Sequence, residues 1–165
     1  AYNITGGGDE GDKTLVTTKE DADHSLPYLI AVALLDGTVM PAQYDPARIL
    51  SPDVQELLCR VVVRPNRNYS RRFPDEMMSL VMVTLRNGLQ FDLERRDYPG
   101  FSTNPMSWHD VREKFMMLAS PHAGPEELAE LASAVESLET IKVRDLTRLL
   151  ARVRGPAQQS TMVAA

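Results

Sequence analysis

The chain has 165 residues, of which 43% are hydrophobic and 25% are charged, and its formal net charge is −5 at pH 7. This length allows one domain with a sizeable core, and the composition is typical of a soluble globular protein. A net negative charge does not suit nucleic-acid binding, which needs a basic surface, so we do not expect nucleic acid as a partner. No apolar run is long enough to span a bilayer, so we do not expect a membrane protein.

The start of the chain has neither an initiating Met nor a signal-peptide pattern, which predicts an internal piece of a longer protein. Its one cysteine, Cys59, excludes an intrachain disulfide and fits a reducing compartment. We therefore expect a cytoplasmic protein, or one of the mitochondrial matrix if the source is eukaryotic. Leu57, Leu58 and Val61 surround Cys59 in sequence, so we expect Cys59 to be a small buried side chain.

Residues 1–12 contain four glycines and three acids, which predicts a flexible, solvated loop. No Gly-Lys-Ser/Thr follows, so the glycines do not indicate phosphate binding. The β-branched run before Lys19 predicts a short strand or an extended lead-in.

The most apolar run of the sequence is residues 26–35, which predicts a central helix buried on nearly all sides. Ser25 or Asp23 would cap its first turn, Pro27 fits that turn, and Gly37 would close the far end. A second start is also possible, because Thr17 with Glu20, or Thr18 with Asp21, has the spacing of a capping box. The sequence does not decide between the two starts.

His24 stands immediately before this helix, next to Asp23 and three residues after Asp21. Histidine titrates near neutrality and a carboxylate can orient its ring, so this cluster could move a proton. The simpler interpretation is that these polar residues only cap the helix and fix its entry.

Ser51 is expected to cap a short helix, and Val61 to Pro65 is expected to form a strand. Three arginines follow, which could bind a carboxylate or a phosphate but also fit a solvated loop: Arg67, Arg71 and Arg72.

Alternating apolar residues on both sides of Asn87-Gly88 predict an antiparallel hairpin between residues 78 and 93, with a two-residue turn. Its apolar face should pack on helices, including the one at residues 26–35. Ser107 with Asp110, then Pro125, then Val143 mark three further helix starts. In the helix after Ser107, Val111, Phe115 and Leu118 should line the buried face.

The order of the predicted elements keeps helices and antiparallel strands apart, which indicates an α+β fold with a hairpin packed on a central helix and on C-terminal helices. We expect a single domain over residues 13–153 and a disordered tail at residues 154–165. The three histidines have no metal-ligand spacing with each other or with the cysteine, so we expect no metal site and no cofactor.

Three motifs resemble the MmgE/PrpD family of 2-methylcitrate dehydratases and cis-aconitate decarboxylases. The first is Asp-His-Ser-Leu-Pro-Tyr at residues 23–28 with the Ala-Val-Ala-Leu-Leu-Asp-Gly helix that follows. The second is the strand region from Val61 to Leu93, ending in Tyr-Pro-Gly at residues 98–100. The third is Asn-Pro-Met-Ser at residues 104–107 with Lys114-Phe115. Their order is similar to the smaller, C-terminal domain of the family.

This resemblance implies a homodimeric, metal-independent lyase whose large helical N-terminal domain carries most catalytic residues. Family members remove a proton next to a carboxylate of a small polycarboxylate. By the resemblance, His24 is the candidate catalytic residue, and the candidate substrate-binding residues are Asp23, Ser25, Gly100 and Asn104. The helical domain and its catalytic residues have no counterpart here, so we expect the chain alone to be inactive. The alternative is a stand-alone structural or interaction module derived from that domain.

Overall fold

The computed structural model describes residues 2–8 and 11–153, where it contains nine α-helices and one two-stranded antiparallel sheet. The predicted α+β class is therefore confirmed. The chain divides into two compact units, Ala1–Arg96 and Asp97–Ala165, and each is described by itself. The expected tail at residues 154–165 lies outside the described residues. None of the described helices is long and apolar enough to cross a membrane.

The first unit holds six helices, a 3-10 turn and both strands. In chain order these are α1 (Tyr2–Thr5), α2 (Lys19–Asp23), α3 (Leu26–Asp36), the 3-10 turn Pro41–Tyr44, α4 (Pro46–Ile49), α5 (Pro52–Leu58), α6 (Arg67–Arg72), β1 (Ser79–Thr84) and β2 (Gln90–Arg95).

Both helix starts that the sequence left open occur, one after the other. Thr18 caps α2 in a capping box with Asp21, and Ser25 then caps α3 by accepting a hydrogen bond from the backbone N–H of Tyr28. Gly37 ends α3 in the left-handed conformation, with φ of 71°. The polar head of the apolar run is therefore the junction between two helices, because each helix has its own cap.

The core of the first unit lies where α3 packs on α5. Its largest fully buried side chains include Tyr28 of α3 and Leu58 of α5, and the buried cluster comprises Val16, Ala22, Tyr28, Ala31, Val32, Ile49, Val54 and Leu58. Burying an aliphatic side chain of this size contributes about 1.5–3 kcal/mol. Leu34 and Leu35 are exposed, so the expectation that the whole run is buried is wrong at its C-terminal end.

Arg48 fastens the helices around this core to one another. Its Nε donates to Asp36 Oδ2 at 2.9 Å, and its Nη1 donates to Asp53 Oδ1 at 2.9 Å and to the Ser51 hydroxyl at 2.8 Å. Ser51 donates in turn to the backbone carbonyl of Arg48 and makes no cap bond to α5, which corrects its predicted role. One planar guanidinium, carried by the last turn of α4, thus links the end of α3 to the start of α5.

Two expectations about the end of α5 are wrong. Cys59 is exposed and caps the C-terminal end of α5, one residue after the buried Leu58. Residues 61–65 form no strand in the described structure, although Val61 to Val63 have the β-branched side chains that favour one. Propensity alone does not create a strand where no neighbouring strand pairs with it.

The hairpin forms where the sequence predicted it. Val81 pairs with Leu93 and Val83 pairs with Phe91. The turn is one residue longer than expected, because Leu85 N–H donates to Leu89 O at 2.8 Å and encloses a three-residue loop. Gly88 has φ of 86° and Asn87 does not have a positive φ, which a type I′ turn would require.

Six apolar side chains share one face of the hairpin, and we call this the apolar hairpin face: Val81, Val83, Leu85, Leu89, Phe91 and Leu93. All except the half-buried Val83 are exposed, and Phe91 is 54% exposed. The expected packing of this face against the helix at residues 26–35 is therefore wrong in the described structure, since a covered face would not leave Phe91 in solvent.

Helix α6 occupies the arginine-rich stretch, for which a solvated loop was one of the two interpretations left open by the sequence. Arg72 forms an ion pair with Glu76, whose other carboxylate oxygen lies 2.8 Å from Arg96 Nε. Tyr69 donates its hydroxyl proton to Glu94 Oε2 at 2.5 Å. Through Glu76, Arg72 therefore links α6 to Arg96, directly after β2.

The second unit holds α7 (Trp108–Ala119), α8 (Pro125–Glu136) and α9 (Val143–Leu150), with α8 in contact with both others. Ser107 and Asp110 form the predicted capping box of α7. The buried side chains here are Ala123, Leu128, Leu131 and Ala132. Val111 and Leu118 of α7 are exposed, so the expected buried face of this helix is wrong at these two positions.

Candidate functional site

His24 lies at the junction between α2 and α3, with its side chain exposed. Its Nδ1 is 3.0 Å from the backbone carbonyl oxygen of Glu20, one helical turn earlier. A carbonyl oxygen only accepts, so Nδ1 carries the proton in this contact. In the neutral ring, Nε2 then holds the lone pair and is the nitrogen that can accept a proton.

Ser25 is fully buried, and its hydroxyl makes two hydrogen bonds within the fold. It accepts from the backbone N–H of Tyr28 at 3.0 Å and donates to the backbone carbonyl of Lys13 at 2.5 Å. The second bond joins the lead-in segment to the start of α3. These contacts fix the position of the residue next to His24.

Asp21 and Asp23 were expected to contact the imidazole ring of His24, but their carboxylates contact other groups. Asp23 Oδ2 lies 3.8 Å from Lys19 Nζ, and Asp21 accepts from the backbone N–H groups of Thr17 and Thr18. The ring is therefore oriented by a main-chain carbonyl, and the hypothesis that a neighbouring carboxylate orients it is wrong in the described structure.

His24 lines a partly open cleft of about 420 Å³. The cleft runs between the lead-in segment and α2, and its lining residues are Asp12, Lys13, Leu15, Val16, Glu20, Asp21 and His24. The chain thus places an acceptor nitrogen at the edge of a cavity large enough for a small organic acid.

The charge of this cleft is mostly negative. The backbone N–H of Thr17, with the hydroxyl and N–H of Thr18, holds the pKa of Asp21 below its ordinary value. The backbone N–H and hydroxyl of Thr14 act in the same way on the pKa of Asp12. Both carboxylates are ionised at neutral pH, so an anionic ligand entering here needs additional positive charge.

Gly100 and Asn104, the other two candidate substrate-binding residues, lie side by side in one loop of the second unit. Gly100 N–H donates to Asn104 O at 2.8 Å, and Gly100 has φ of 99°. The Asn104 amide donates to Asp97 Oδ1 at 3.1 Å. These two residues are thus neighbours in one loop, joined by their own backbone hydrogen bond, and their role in substrate binding stays a prediction.

Among residues 2–8 and 11–153, no group of three or more His, Cys, Asp and Glu side chains is arranged to hold a metal ion. His109 lies on the exposed surface of α7, with Nε2 3.4 Å from Glu113 Oε1. Unlike His109, His24 lines the cleft described above, so we take His24 as the proton-transfer candidate.

Sequence reasoning missed the residues that hold His24 and Ser25 in place. The four-residue spacing from Glu20 to His24 within a helical pattern could have identified the carbonyl contact. The bond from Ser25 to Lys13 joins positions twelve residues apart and has no sequence signature. The same is true of Asp12 and Lys13 as lining residues of the cleft.

Comparisons with known proteins add a family relationship. The family model described as the MmgE/PrpD C-terminal domain matches residues 1–140. Cis-aconitate decarboxylase of Mus musculus is 29% identical over 143 residues, which cover 86% of this chain and 28% of that protein. The Homo sapiens enzyme of the same name is 28% identical over 146 residues, with 85% and 28% covered. The chain thus spans little more than a quarter of these relatives.

Proposed function

Since the chain belongs to the MmgE/PrpD family through its C-terminal domain, we propose that it is the smaller domain of a metal-independent lyase acting on a small polycarboxylate. The match over residues 1–140 carries this proposal, and the two decarboxylase relatives support it. The partner domain is a helical N-terminal domain of the same polypeptide, and the whole enzyme is a homodimer.

In this proposal His24 Nε2 transfers the proton at the reacting carbon. In a decarboxylation, the bond from that carbon to a carboxylate breaks and CO₂ leaves. The electron pair stays on the carbon, which then takes a proton from protonated His24. In a dehydration, neutral His24 removes a proton next to a carboxylate, and the resulting histidinium returns that proton to the hydroxyl on the adjacent carbon, which leaves as water. The carbonyl of Glu20 holds the ring in one orientation throughout.

The other candidate residues have supporting parts in the proposal. Ser25 fixes the backbone next to His24, and Asp23 borders the substrate. Gly100 and Asn104 are proposed to bind a substrate carboxylate through the Asn104 side-chain amide, because the Gly100 N–H already donates to Asn104 O. Because the cleft beside His24 contains Asp12, Glu20 and Asp21, the cationic groups that stabilise the carbanion or enediolate come from the helical domain. We therefore expect the 165-residue chain alone to have no turnover.

The test is an activity assay on the protein encoded by the whole gene, with cis-aconitate and 2-methylcitrate as substrates. Turnover of either supports a polycarboxylate lyase, and turnover of neither contradicts it. The role of His24 is tested by His24→Gln. A fall in kcat/KM of at least about tenfold corresponds to roughly 1.4 kcal/mol of lost transition-state stabilisation.

The matched control is His109→Gln, because His109 is an exposed histidine on α7 whose Nε2 lies 3.4 Å from Glu113 Oε1. We expect it to leave both activity and thermal stability unchanged. If His24→Gln lowers activity only as far as it lowers stability, His24 has a structural role.

The alternative is a stand-alone module derived from this domain. The predominantly acidic lining of the cleft favours it, because the cleft alone does not attract a polycarboxylate. The two proposals differ in one observation: a gene that encodes only these 165 residues would establish the module and exclude the two-domain lyase.

A further inference from the structure

Five of the six side chains of the apolar hairpin face are exposed. Leu89, Phe91 and Leu93 are each slightly more than half exposed, and Val81 and Leu85 add to the same surface. Together these side chains present roughly 400 Å² of apolar surface, within the range of patches that mark contact sites on proteins.

A charged residue, Arg95, lies at the edge of this apolar face, as at many protein contact sites. Arg95 pairs with Ser79 in the hairpin register and so lies on the same side as Leu93, at the open end of the face. Contact surfaces commonly have an apolar centre and a charged rim. The opposite side of β2 carries Asp92 and Glu94, which suit contact with water.

The area of the apolar hairpin face indicates whether a separate protein or another domain of the same polypeptide covers it. A stable interface between separate proteins buries about 800 Å² on each partner, about twice what this face offers, so two copies of the chain joined here would dissociate readily. Contacts between domains of one polypeptide bury about 600–1,500 Å² in total, or roughly 300–750 Å² per side. The apolar hairpin face fits that second range.

We infer that the apolar hairpin face is the surface on which the helical domain of the longer polypeptide docks, through an apolar helix face with a carboxylate opposite Arg95. The inference rests on the proposed function for the existence of that domain. The curated relatives are more than three times as long as the part matched here, which leaves ample chain for it. Covalent connection removes most of the entropy cost of association, so a modest area suffices.

The hairpin provides its own control for a test. Phe91 and Met82 are large apolar residues on adjacent strands, but their side chains point to opposite faces. They are 54% and 74% exposed, so both react with a solvent-borne carbene in the 165-residue chain. Only Phe91 lies on the inferred docking surface.

The experiment is carbene footprinting, read by mass spectrometry, on the 165-residue chain and on the protein encoded by the whole gene. In the longer protein, labelling of Phe91 should fall about fivefold, because a side chain in the centre of an interface is about a tenth exposed. Labelling of Met82 should stay unchanged. In the longer protein, Phe91→Lys should restore labelling of Leu93, whereas Met82→Lys should not.

Three results would overturn the inference. Phe91 labelled equally in both proteins shows that nothing covers the face. Phe91 already protected in the 165-residue chain shows coverage from within it, or by a second copy if protection increases with concentration. If the gene encodes no further domain, the helical domain that is inferred to dock on this face does not exist. Since labelling measures coverage and not turnover, an inactive long protein with a protected Phe91 would contradict the proposed function and leave the docking surface supported.

Discussion

The helical core of the first unit and the hairpin of the same unit use similar side chains with opposite results. Leu58 of α5 is fully buried, whereas Leu93 of β2 is 52% exposed. Both residues belong to regular elements that the sequence predicted. The difference is that α3 and α5 pack on each other, while the apolar hairpin face is left in solvent.

This contrast shows what a hydrophobic pattern does and does not specify. Alternation along β1 and β2 determines which side chains share a face, because successive side chains of a strand point to opposite sides. It does not determine which surface covers that face. In contrast, α5, which covers α3, begins 16 positions after α3 ends (Asp36 to Pro52), so both sides of that contact lie within this chain.

The largest expected effect comes from truncating a leucine in each region. Leu58→Ala should lower the free energy of unfolding by about 2–5 kcal/mol, because it leaves a cavity in a closed core. Leu93→Ala in the 165-residue chain should change it by about 0.5 kcal/mol or less, since that side chain already contacts water. Urea unfolding of the two variants measures both values. Equal losses would show that the hairpin face is buried in solution.

The second prediction compares two serine caps. Ser25→Ala should cost about 2 kcal/mol, because the buried N–H of Tyr28 and the carbonyl of Lys13 both lose their hydrogen-bond partner. Ser107→Ala removes an exposed cap of α7 and should cost about 1 kcal/mol. Thermal unfolding of both variants measures the difference. A smaller loss for Ser25→Ala would mean that water replaces its bonds and that the junction beside His24 is open.

The local features of the fold were predictable from the sequence. The caps at Ser25 and Ser107, the helix end at Gly37 and the two strands of the hairpin follow from short-range rules that involve residues within a few positions of each other. The register of the hairpin does not follow from the predicted two-residue turn, because the observed three-residue loop pairs Leu85 with Leu89. The family motif at residues 23–28 likewise identified His24, which the structure places at the edge of a cleft.

What could not be predicted depends on contacts between distant positions. The burial of Cys59 was wrong because the end of α5 decides which way residue 59 points. The strand at residues 61–65 was wrong because a strand needs a partner as well as β-branched side chains. The Gln55 amide bonds to the carbonyl of Val16, 39 residues earlier, and no local pattern predicts it.

The third prediction concerns the hairpin turn. Gly88→Ala should cost about 1 kcal/mol, because a side chain at φ of 86° is strained even though no atom obstructs the space. Arg86→Ala, at an exposed residue of the same loop that has no positive φ, is the control and should cost about 0.5 kcal/mol or less. Equal effects of the two substitutions would indicate that the loop changes to a turn without a left-handed residue at position 88.

The smallest effect is the pH dependence that Arg48 gives to the helical region. Hydrogen bonds from Arg48 hold the pKa values of Asp36 and Asp53 below their ordinary value of 3.8. A carboxylate with a lowered pKa in the folded state stabilises the fold above its unfolded pKa. That stabilisation is lost as the pH falls through the folded pKa, here below about pH 4. The Tm should therefore fall more steeply on acidification in the parent chain than in Arg48→Gln. The effect is limited, because both carboxylates are partly exposed and solvent screens them.

The control for this prediction is Arg60→Gln, which removes an exposed ion pair with Glu56 and should leave the fall of Tm at acidic pH unchanged. Parallel Tm profiles for the parent chain and Arg48→Gln between pH 6 and pH 2 would show that the Arg48 contacts do not persist in solution.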